Sequence, residues 1–244
     1  LQVKGGRNKH INTFNFNVEV SGLLSGLIKK NDFLDTNLFR FIKVDAEFAR
    51  KISFKKSSLV LHGFVGLGYE FNSTANKDNR YNLPLLRQYF AGGPNSMRAW
   101  GLRKLGPGAS IKDFGTTGLP DRYGDVHIEA NIEYRFPLVK AFGLPVEGAL
   151  FTDIGNIWFM KSAPFRSSEE VFSFSRLGKD LAVGIGTGFR IDLSFLVIRL
   201  DYSIKAKDPS PSLKYISVQN KWFGYKRWRD ADQFQLAISY PFVL

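Results

Sequence analysis

The sequence has no cysteine, and its three histidines, His10, His62 and His127, stand far apart. These two features exclude a disulfide framework and a thiolate metal site, and they leave no histidine pair at metal-ligand spacing. No apolar run approaches the roughly 18 to 20 residues that a transmembrane helix needs. A membrane-spanning role would therefore require β-strands, whose lipid-facing side chains occupy only every second position.

Acidic residues are the minority among the charges, since 22 Asp and Glu face 34 Lys and Arg for a net charge of +12. Hydrophobic residues make up 44% of the chain and charged residues 23%, which excludes a disordered protein. Aromatic residues reach 15%, with 23 Phe, and this excess favours a β-barrel or a β-sandwich. The chain begins at Leu1 without a signal-peptide pattern, so we expect a removed leader or a piece of a longer chain.

Apolar and polar residues alternate in about eight segments, and a period of two indicates strands rather than helices. The predicted strands run about 9 to 13 residues, longer than the ~5 to 6 usual in globular proteins. Their length matches the ~9 to 11 tilted residues that cross a bilayer. The apolar positions of the eight segments fall within residues 14–20, 42–48, 59–69, 126–136, 146–154, 181–191, 196–202 and 234–242.

The connections between these segments alternate between long and short. The long connections are residues 21–39, 71–123, 156–178 and 204–232, and the short ones are 50–57, 137–145 and 192–194. Outer-membrane barrels have short periplasmic turns and long extracellular loops. The pattern predicts an all-β protein, an antiparallel transmembrane β-barrel with its C-terminus in the periplasm.

Aromatic residues near the strand ends are expected to form two belts at the membrane interfaces. The expected extracellular belt comprises Tyr69, Trp158 and Tyr202. The expected periplasmic belt comprises Tyr134, Phe136, Tyr240 and Phe242.

The longest connection, about residues 71–123, is rich in glycine and apolar side chains, so we expect it to pack against the barrel. The polar face of one strand carries Gly184, Gly186 and Gly188, and glycine in a strand marks the close approach of another backbone. An eight-stranded barrel is already filled by its own side chains. We therefore expect a larger barrel, with this loop folded inward and this chain forming roughly its C-terminal half.

Several sequence motifs resemble those of one protein family. The segment FAGGPNSMRAWGLRKLGPG, residues 90–108, resembles the inward-folded loop of the bacterial surface antigen family, the BamA/TamA-type outer-membrane assembly proteins. The loop motif of that family is a hydrophobic residue, Arg, Gly and an aromatic residue. It reads here Met97, Arg98, Ala99 and Trp100, with Ala in place of Gly.

Four later segments resemble strands of the same family, and they follow in the family's order. They are NIEYRFPL (131–138), GALFTDIGNIW (148–158), LAVGIGTGFRIDLSFLVIRLDYSIKAKDP (181–209) and FQLAISYPF (234–242). The resemblance covers most of the chain, and it is greatest to the TamA-like TamL proteins of Bacteroidetes.

The resemblance implies a barrel of about 16 strands in the outer membrane of a Gram-negative bacterium. Periplasmic POTRA domains would precede the barrel, and these domains and the first strands are absent from this chain, so residues 1–244 form the C-terminal part of one barrel domain. The resemblance also implies that Arg98 is held inside the barrel by acids on the two following strands, here Glu133 and Asp153. The alternation separately places both acids on the polar, lumen-facing side, and a buried guanidinium needs such partners.

The implied function is the assembly or insertion of outer-membrane proteins, or their translocation. The closing strand would pair weakly with the absent first strand, and a client strand could add at that seam. The apolar face of the closing strand comprises Phe234, Leu236, Ile238, Tyr240 and Phe242. The expected partners are an unfolded outer-membrane client protein, outer-membrane lipids and lipopolysaccharide, and the missing N-terminal half with its POTRA domains.

Other functions stay open as alternatives: a passive outer-membrane channel, a two-partner secretion exporter, or a surface-adhesion barrel. We do not expect an enzyme, a metal ion or a cofactor. His127, Glu129 and Glu133 share one strand face, but Ser96 and Ser110 lie in loops with no evident pairing to a base.

The last long connection interleaves basic and aromatic residues, much as a nucleic-acid patch does. Its basic residues are Lys221, Lys226, Arg227 and Arg229, and its aromatic residues are Trp222, Phe223, Tyr225 and Trp228. In an extracellular loop of a barrel we expect anionic lipid headgroups or surface polysaccharide as its partners, and no nucleic acid.

Overall fold

The computed structural model describes residues 2–5, 10–22, 39–71, 81–111, 122–141, 143–193 and 196–238. These residues form one antiparallel sheet of nine strands, in which the strands pair in the order of the sequence. The strands are β1 (Gln2–Gly5), β2 (His10–Ser21), β3 (Phe41–Ser53), β4 (Ser58–Glu70), β5 (Val126–Ala141), β6 (Leu144–Trp158), β7 (Ala182–Asp192), β8 (Val197–Lys207) and β9 (Asp232–Ile238).

The described helices are short and lie in the connections between strands. They are the α-helices α1 (Leu177–Asp180) and α2 (Trp228–Ala231) and the 3₁₀ helices Leu85–Arg87, Ser168–Glu170, Phe174–Arg176 and Leu213–Val218. Within the described part of the chain, no helix has the length and apolar character needed to span a membrane. The predicted all-β class is confirmed, and the eight predicted strands correspond to β2–β9.

Strand β1 was not predicted, because its four residues are too few to establish an alternation. Two of the short connections contain fewer residues in the structure than predicted. The turn between β3 and β4 begins only after Ser53, and it is closed by a hydrogen bond from the Phe54 N–H to the Ser57 carbonyl at 2.8 Å. Strand β5 likewise continues beyond Pro137 through a register shift, so that it reaches Ala141.

The two faces of the sheet reverse the usual arrangement of a water-soluble protein. Apolar side chains on the outer face are exposed, as for Phe14 at 41%, Ile132 at 48% and Leu236 at 62%. On the opposite face, Glu133 and Asp153 are 0% exposed. An apolar outer surface over charged inner side chains suits strands that face lipid on one side and a lumen on the other.

The prediction of two aromatic belts is wrong for Tyr134 and Tyr202. Both lie in one row of paired residues that runs across β5 to β8, rather than at opposite ends of the sheet. Tyr69, Tyr202 and Tyr134 lie on the outer face with about two fifths of each side chain exposed. The expectation for Trp158 is wrong, because this side chain is 0% exposed and its indole N–H donates a hydrogen bond to Asp180 at 3.0 Å. Phe136 is half-buried, whereas Tyr240 and Phe242 lie outside the described residues.

Candidate functional site: a loop anchored inside the sheet

The described residues 81–111 between β4 and β5, here called the inner loop, lie against the inner face of the sheet. The four residues of the sequence motif are all buried: Met97, Arg98 and Ala99 are 0% exposed and Trp100 is 3% exposed. Met97, Ala99 and Trp100 belong to a buried apolar cluster that includes Ile157 of β6 and Ala182 of β7. The loop therefore packs as part of the interior.

Arg98 is bound by the two acids that the sequence pointed to. Its Nε and Nη2 atoms donate to the two carboxylate oxygens of Asp153 at 3.0 and 2.8 Å, and its backbone N–H donates to Asp153 at 3.0 Å. Its Nη1 atom donates to Glu133 at 2.5 Å. This is the planar, two-pronged arrangement that arginine makes with a carboxylate, and all three side chains are closed to solvent.

Three further arginines bind Glu133 or the neighbouring carboxylate of Asp201, which extends the cluster around Arg98. The Nε atom of Arg135 donates to Glu133 at 2.7 Å, and Arg190 donates from Nη2 to Glu133 at 2.9 Å and from Nη1 to Asp201 at 2.5 Å. The Nε atom of Arg199 donates to Asp201 at 3.2 Å. The cluster thus holds four arginines against three carboxylates.

The strand register explains why these charges meet. Asp153 of β6 pairs across the sheet with Asn131 of β5 on one side and Gly184 of β7 on the other. Asn131 donates its side-chain amide to Asp153 at 2.9 Å. A buried carboxylate needs such additional donors, because its lost hydration must be replaced.

The sequence reasoning missed Arg135, Arg190, Arg199 and Asp201 as members of the site. Their alternation does place them on the polar face, and that signal was available. Which of these side chains meet depends on the register of each strand relative to its neighbours, and alternation alone does not give the register.

Small side chains on β7 make room for the loop. A Cβ atom placed on Gly184 would lie 2.8 Å from the Cβ of Ala99, so the glycine permits close approach at this point. At Gly186 the ring of Phe151 fills the space that a side chain would need. The same ring packs on the Arg98 guanidinium, and the Cζ atom of Arg98 lies 3.4 Å from the ring centre. Within the described chain the non-glycine residues of positive φ do not include Ala99, so alanine fits this motif position without backbone strain.

The loop is also bonded to the last two strands. The carbonyl oxygen of Arg98 accepts a hydrogen bond from the Ser203 hydroxyl of β8 at 2.9 Å. The side-chain amide of Gln235 on β9 donates to the carbonyl of Trp100 at 3.0 Å and to that of Arg98 at 3.4 Å. Arg199 reaches the loop as well, through the Pro94 carbonyl and the Asn95 side chain at 3.3 Å. One loop segment thus connects strands β5, β6, β8 and β9.

The other side of the loop contacts β3 and β5. The Tyr89 hydroxyl donates to Asp45, and the Ser96 hydroxyl donates to Glu129 at 2.5 Å. Glu129 in turn lies 3.0 Å from Nε2 of His127. The expectation that Ser96 has no evident pairing to a base is therefore wrong, because its hydroxyl contacts the Glu129 carboxylate, which in turn contacts the His127 imidazole. Ser110 donates to the Pro107 carbonyl at 2.8 Å.

The end of the loop is bonded to the last residues of β6, which are bonded in turn to α1 in the connection between β6 and β7. The Asn156 side chain donates to the carbonyls of Gly108 and Asp180, at 2.9 and 2.5 Å. The Gly108 N–H donates to the Ile157 carbonyl at 2.7 Å. Burial raises the pKa of Asp180, and the hydrogen bond from the Trp158 indole acts in the opposite direction.

Residues 13–242 match the model of the Omp85 superfamily domain. The chain belongs to the Omp85 superfamily. Omp85 proteins are β-barrel proteins of the outer membrane of Gram-negative bacteria, and they act in protein assembly or secretion rather than as enzymes. No match to the chain was found among curated proteins.

The Omp85 match confirms the predicted β-barrel fold and the predicted family. On the closing strand, Phe234, Leu236 and Ile238 are 60%, 62% and 67% exposed on the outer face. The remaining two predicted residues of that strand, Tyr240 and Phe242, lie outside the described residues.

Proposed function

We propose that this chain is the C-terminal part of an Omp85 barrel of about 16 strands that inserts outer-membrane proteins at a weak seam beside β9. The motif order of the later strands supports a TamL-like member, preceded by POTRA domains and the first barrel strands. The proposed orientation has the C-terminus in the periplasm and the long connections at the cell exterior.

The edge of β9 supports the proposed seam. Strand β9 pairs with β8 from Asp232 to Ile238, and β9 and β1 are the two ends of the described sheet. Across the described residues, the second edge of β9 has no strand partner. An unpaired edge is a template on which an extended segment of another protein can add by backbone hydrogen bonds.

The observation that carries the proposal is the link between the anchored loop and the closing strand. The Arg98 guanidinium is fixed by β5 and β6, while the carbonyl of the same residue is bonded by Ser203 and Gln235. The described part of the loop therefore holds the inner side of β9 in place and leaves the second edge of that strand unobstructed. A client strand arriving from the periplasm would find a positioned template there.

The proposed mechanism involves no covalent chemistry. Binding energy from edge pairing and from the client's apolar side chains, which enter the surrounding lipid, drives insertion. The partners are an unfolded outer-membrane client protein, outer-membrane lipids including lipopolysaccharide, and the N-terminal half of the same protein.

The test follows client folding by the complete parent protein in liposomes. An unfolded outer-membrane protein is added, and its folded fraction is measured over time by gel mobility without heating. An unrelated outer-membrane barrel at the same protein-to-lipid ratio serves as the control. We expect the parent protein to accelerate folding relative to this control.

Two other results would contradict the proposal and identify the alternatives. Ion conductance by the parent protein without accelerated folding would indicate a passive channel. Transfer of a secreted passenger into the liposome, without faster folding of barrel clients, would indicate a two-partner secretion exporter.

A further inference from the structure

A groove of about 450 Å³ crosses the outer face of the sheet from β5 to β8. Large apolar side chains, among them Ile132, Leu150 and Ile185, form its walls. The shorter Thr152 and Thr187 stand between them, which opens the depression. Because this face points toward the membrane, the occupant of the groove must come from the lipid phase.

Trp228 lines the same groove although it belongs to the last long connection. It is the first residue of α2, four residues before β9 begins, and 68% of it is exposed. Tryptophan favours the boundary between headgroups and acyl chains, where its ring is in apolar surroundings and its N–H is in polar ones. Trp228 therefore marks the level at which the groove reaches the headgroup layer.

Basic residues surround Trp228 in the sequence. Arg227 and Arg229 flank it directly, and Cα atoms of neighbouring residues lie about 3.8 Å apart. Lys221 and Lys226 precede them, and all four cations are exposed. The two acids that follow are each bonded to a tyrosine: Asp230 accepts from the Tyr215 hydroxyl at 2.7 Å, and Asp232 accepts from the Tyr202 hydroxyl at 3.0 Å. The described structure gives these four side chains no ion pair, so their charge is available to an external anion.

We propose that this surface binds one phosphorylated, acylated glycolipid of the outer leaflet, of the lipid A class. An acyl chain occupies the groove, the Trp228 ring lies at the chain–headgroup boundary, and Arg227 and Arg229 bind the phosphate. Guanidinium groups bind phosphate through paired hydrogen bonds, and basic clusters at a membrane surface select anionic lipids. The choice of leaflet rests on the orientation in the proposed function, whereas lipid binding itself does not require a client.

The test measures lipid retention by the complete parent protein. The protein is purified with a mixture of lipid A, phosphatidylglycerol and phosphatidylcholine, and the bound lipid is identified by native mass spectrometry. We expect one retained lipid A. The variant Arg227→Gln with Arg229→Gln is expected to retain about tenfold less, because two phosphate-binding charges are lost.

Two matched controls separate this site from general effects. Lys55→Gln with Lys56→Gln removes two exposed cations from the turn at the other end of the sheet and is expected to leave retention unchanged. Thr152→Phe fills the groove without a change of charge and is expected to reduce retention. Ala46→Phe adds the same ring on the outer face of β3, away from the groove, and is expected to have no effect.

Equal retention by the arginine double variant and its lysine control would overturn the phosphate site. Equal retention of phosphatidylcholine and lipid A would overturn the selectivity and indicate ordinary surrounding lipid. Client folding is measured separately in the liposome assay, so a failed lipid site with intact client folding would leave the proposed function standing.

Discussion

The inner face of the sheet differs between its two halves. On β5 to β8, the side chains of Glu133, Asp153 and Asp201 are 0% exposed, and each is bonded to at least one buried arginine. On β2 and β3, Asn17 is exposed and Asp45 is half-buried, and their contact is a single hydrogen bond at 3.3 Å. The same alternation of residues thus gives a closed charged interior on one side and an open polar lining on the other.

The difference arises because the tip of the inner loop, residues 94–100, docks on the half that ends at β9. The half formed by β3 and β4 instead lines a cavity of about 610 Å³, with Asp45, Glu47 and His62 in its wall. Charge pairs are strong where water is excluded and weak where water screens them. The loop therefore braces the strands beside the proposed seam and leaves β3 and β4 more loosely held.

The largest expected effect is at Arg98. Its replacement by Ala leaves Glu133 and Asp153 in a dry site with one counter-charge fewer, at a cost of about 3 to 5 kcal/mol. The measurement is the urea midpoint of barrel unfolding for the complete protein in liposomes.

Lys55→Ala is the control for Arg98→Ala, because it removes an exposed cation from the turn between β3 and β4, away from the loop. We expect Lys55→Ala to change the free energy of unfolding by less than about 0.5 kcal/mol. Equal midpoints for the two variants would show that the loop is not anchored through Arg98.

The next largest effect on stability is expected at the close contact between Ala99 and Gly184. Gly184→Ala places a methyl group 2.8 Å from the Cβ of Ala99, and such overpacking costs about 1 to 3 kcal/mol. Exchanging the methyl across the contact, with Gly184→Ala and Ala99→Gly together, should restore most of the stability. Gly63→Ala is the matched control, because nothing lies within 4 Å of a Cβ at that position. If both alanine variants behave alike in urea unfolding, the loop does not approach β7.

A smaller effect is expected at Gln235, the link from the closing strand to the loop. Gln235→Ala removes its hydrogen bonds to the Trp100 and Arg98 carbonyls, at a cost of about 1 kcal/mol. Gln233→Ala is the control, since the Gln233 amide donates to the neighbouring Phe234 carbonyl instead. Faster amide hydrogen exchange along β9 in the first variant, and not in the second, would verify the link. The reverse order would contradict it.

The smallest effect is expected in the open half. Tyr89→Phe removes the hydroxyl bonded to Asp45, and water can replace that donor at a half-buried carboxylate, so the cost is about 0.5 kcal/mol. Tyr69→Phe, on the outer face, is expected to be neutral. A cost for Tyr89→Phe as large as that of Arg98→Ala would remove the contrast between the two halves.

The fold was largely predictable because a strand presents alternate residues to opposite faces. The alternation placed Glu133 and Asp153 on the inner side, and the family resemblance connected them with Arg98. Partners such as Arg190 and Asp201 could not be chosen in this way. Arg190 meets Glu133 from 57 residues away, and that meeting depends on the register of three strands.

Trp158 shows where alternation fails. Its parity places it on the outer face, yet Asn156, Ile157 and Trp158 are all 0% exposed. At its C-terminal end, β6 is covered on both sides by connecting segments, for example by Phe172, whose ring lies 5.4 Å from that of Trp158. Alternation therefore predicts which side chains are exposed only in the part of a strand that has one polar side and one lipid-facing side.

The most direct test of the central claim is client folding in liposomes by the complete protein with its loop anchor reversed. We expect Arg98→Glu to lose the acceleration, because three carboxylates would then meet in one buried site. Adding Asp153→Arg to that variant restores an opposite charge beside residue 98 and is expected to recover part of the acceleration. Wild-type acceleration by Arg98→Glu would contradict the claim that the anchored loop positions the closing strand for its client.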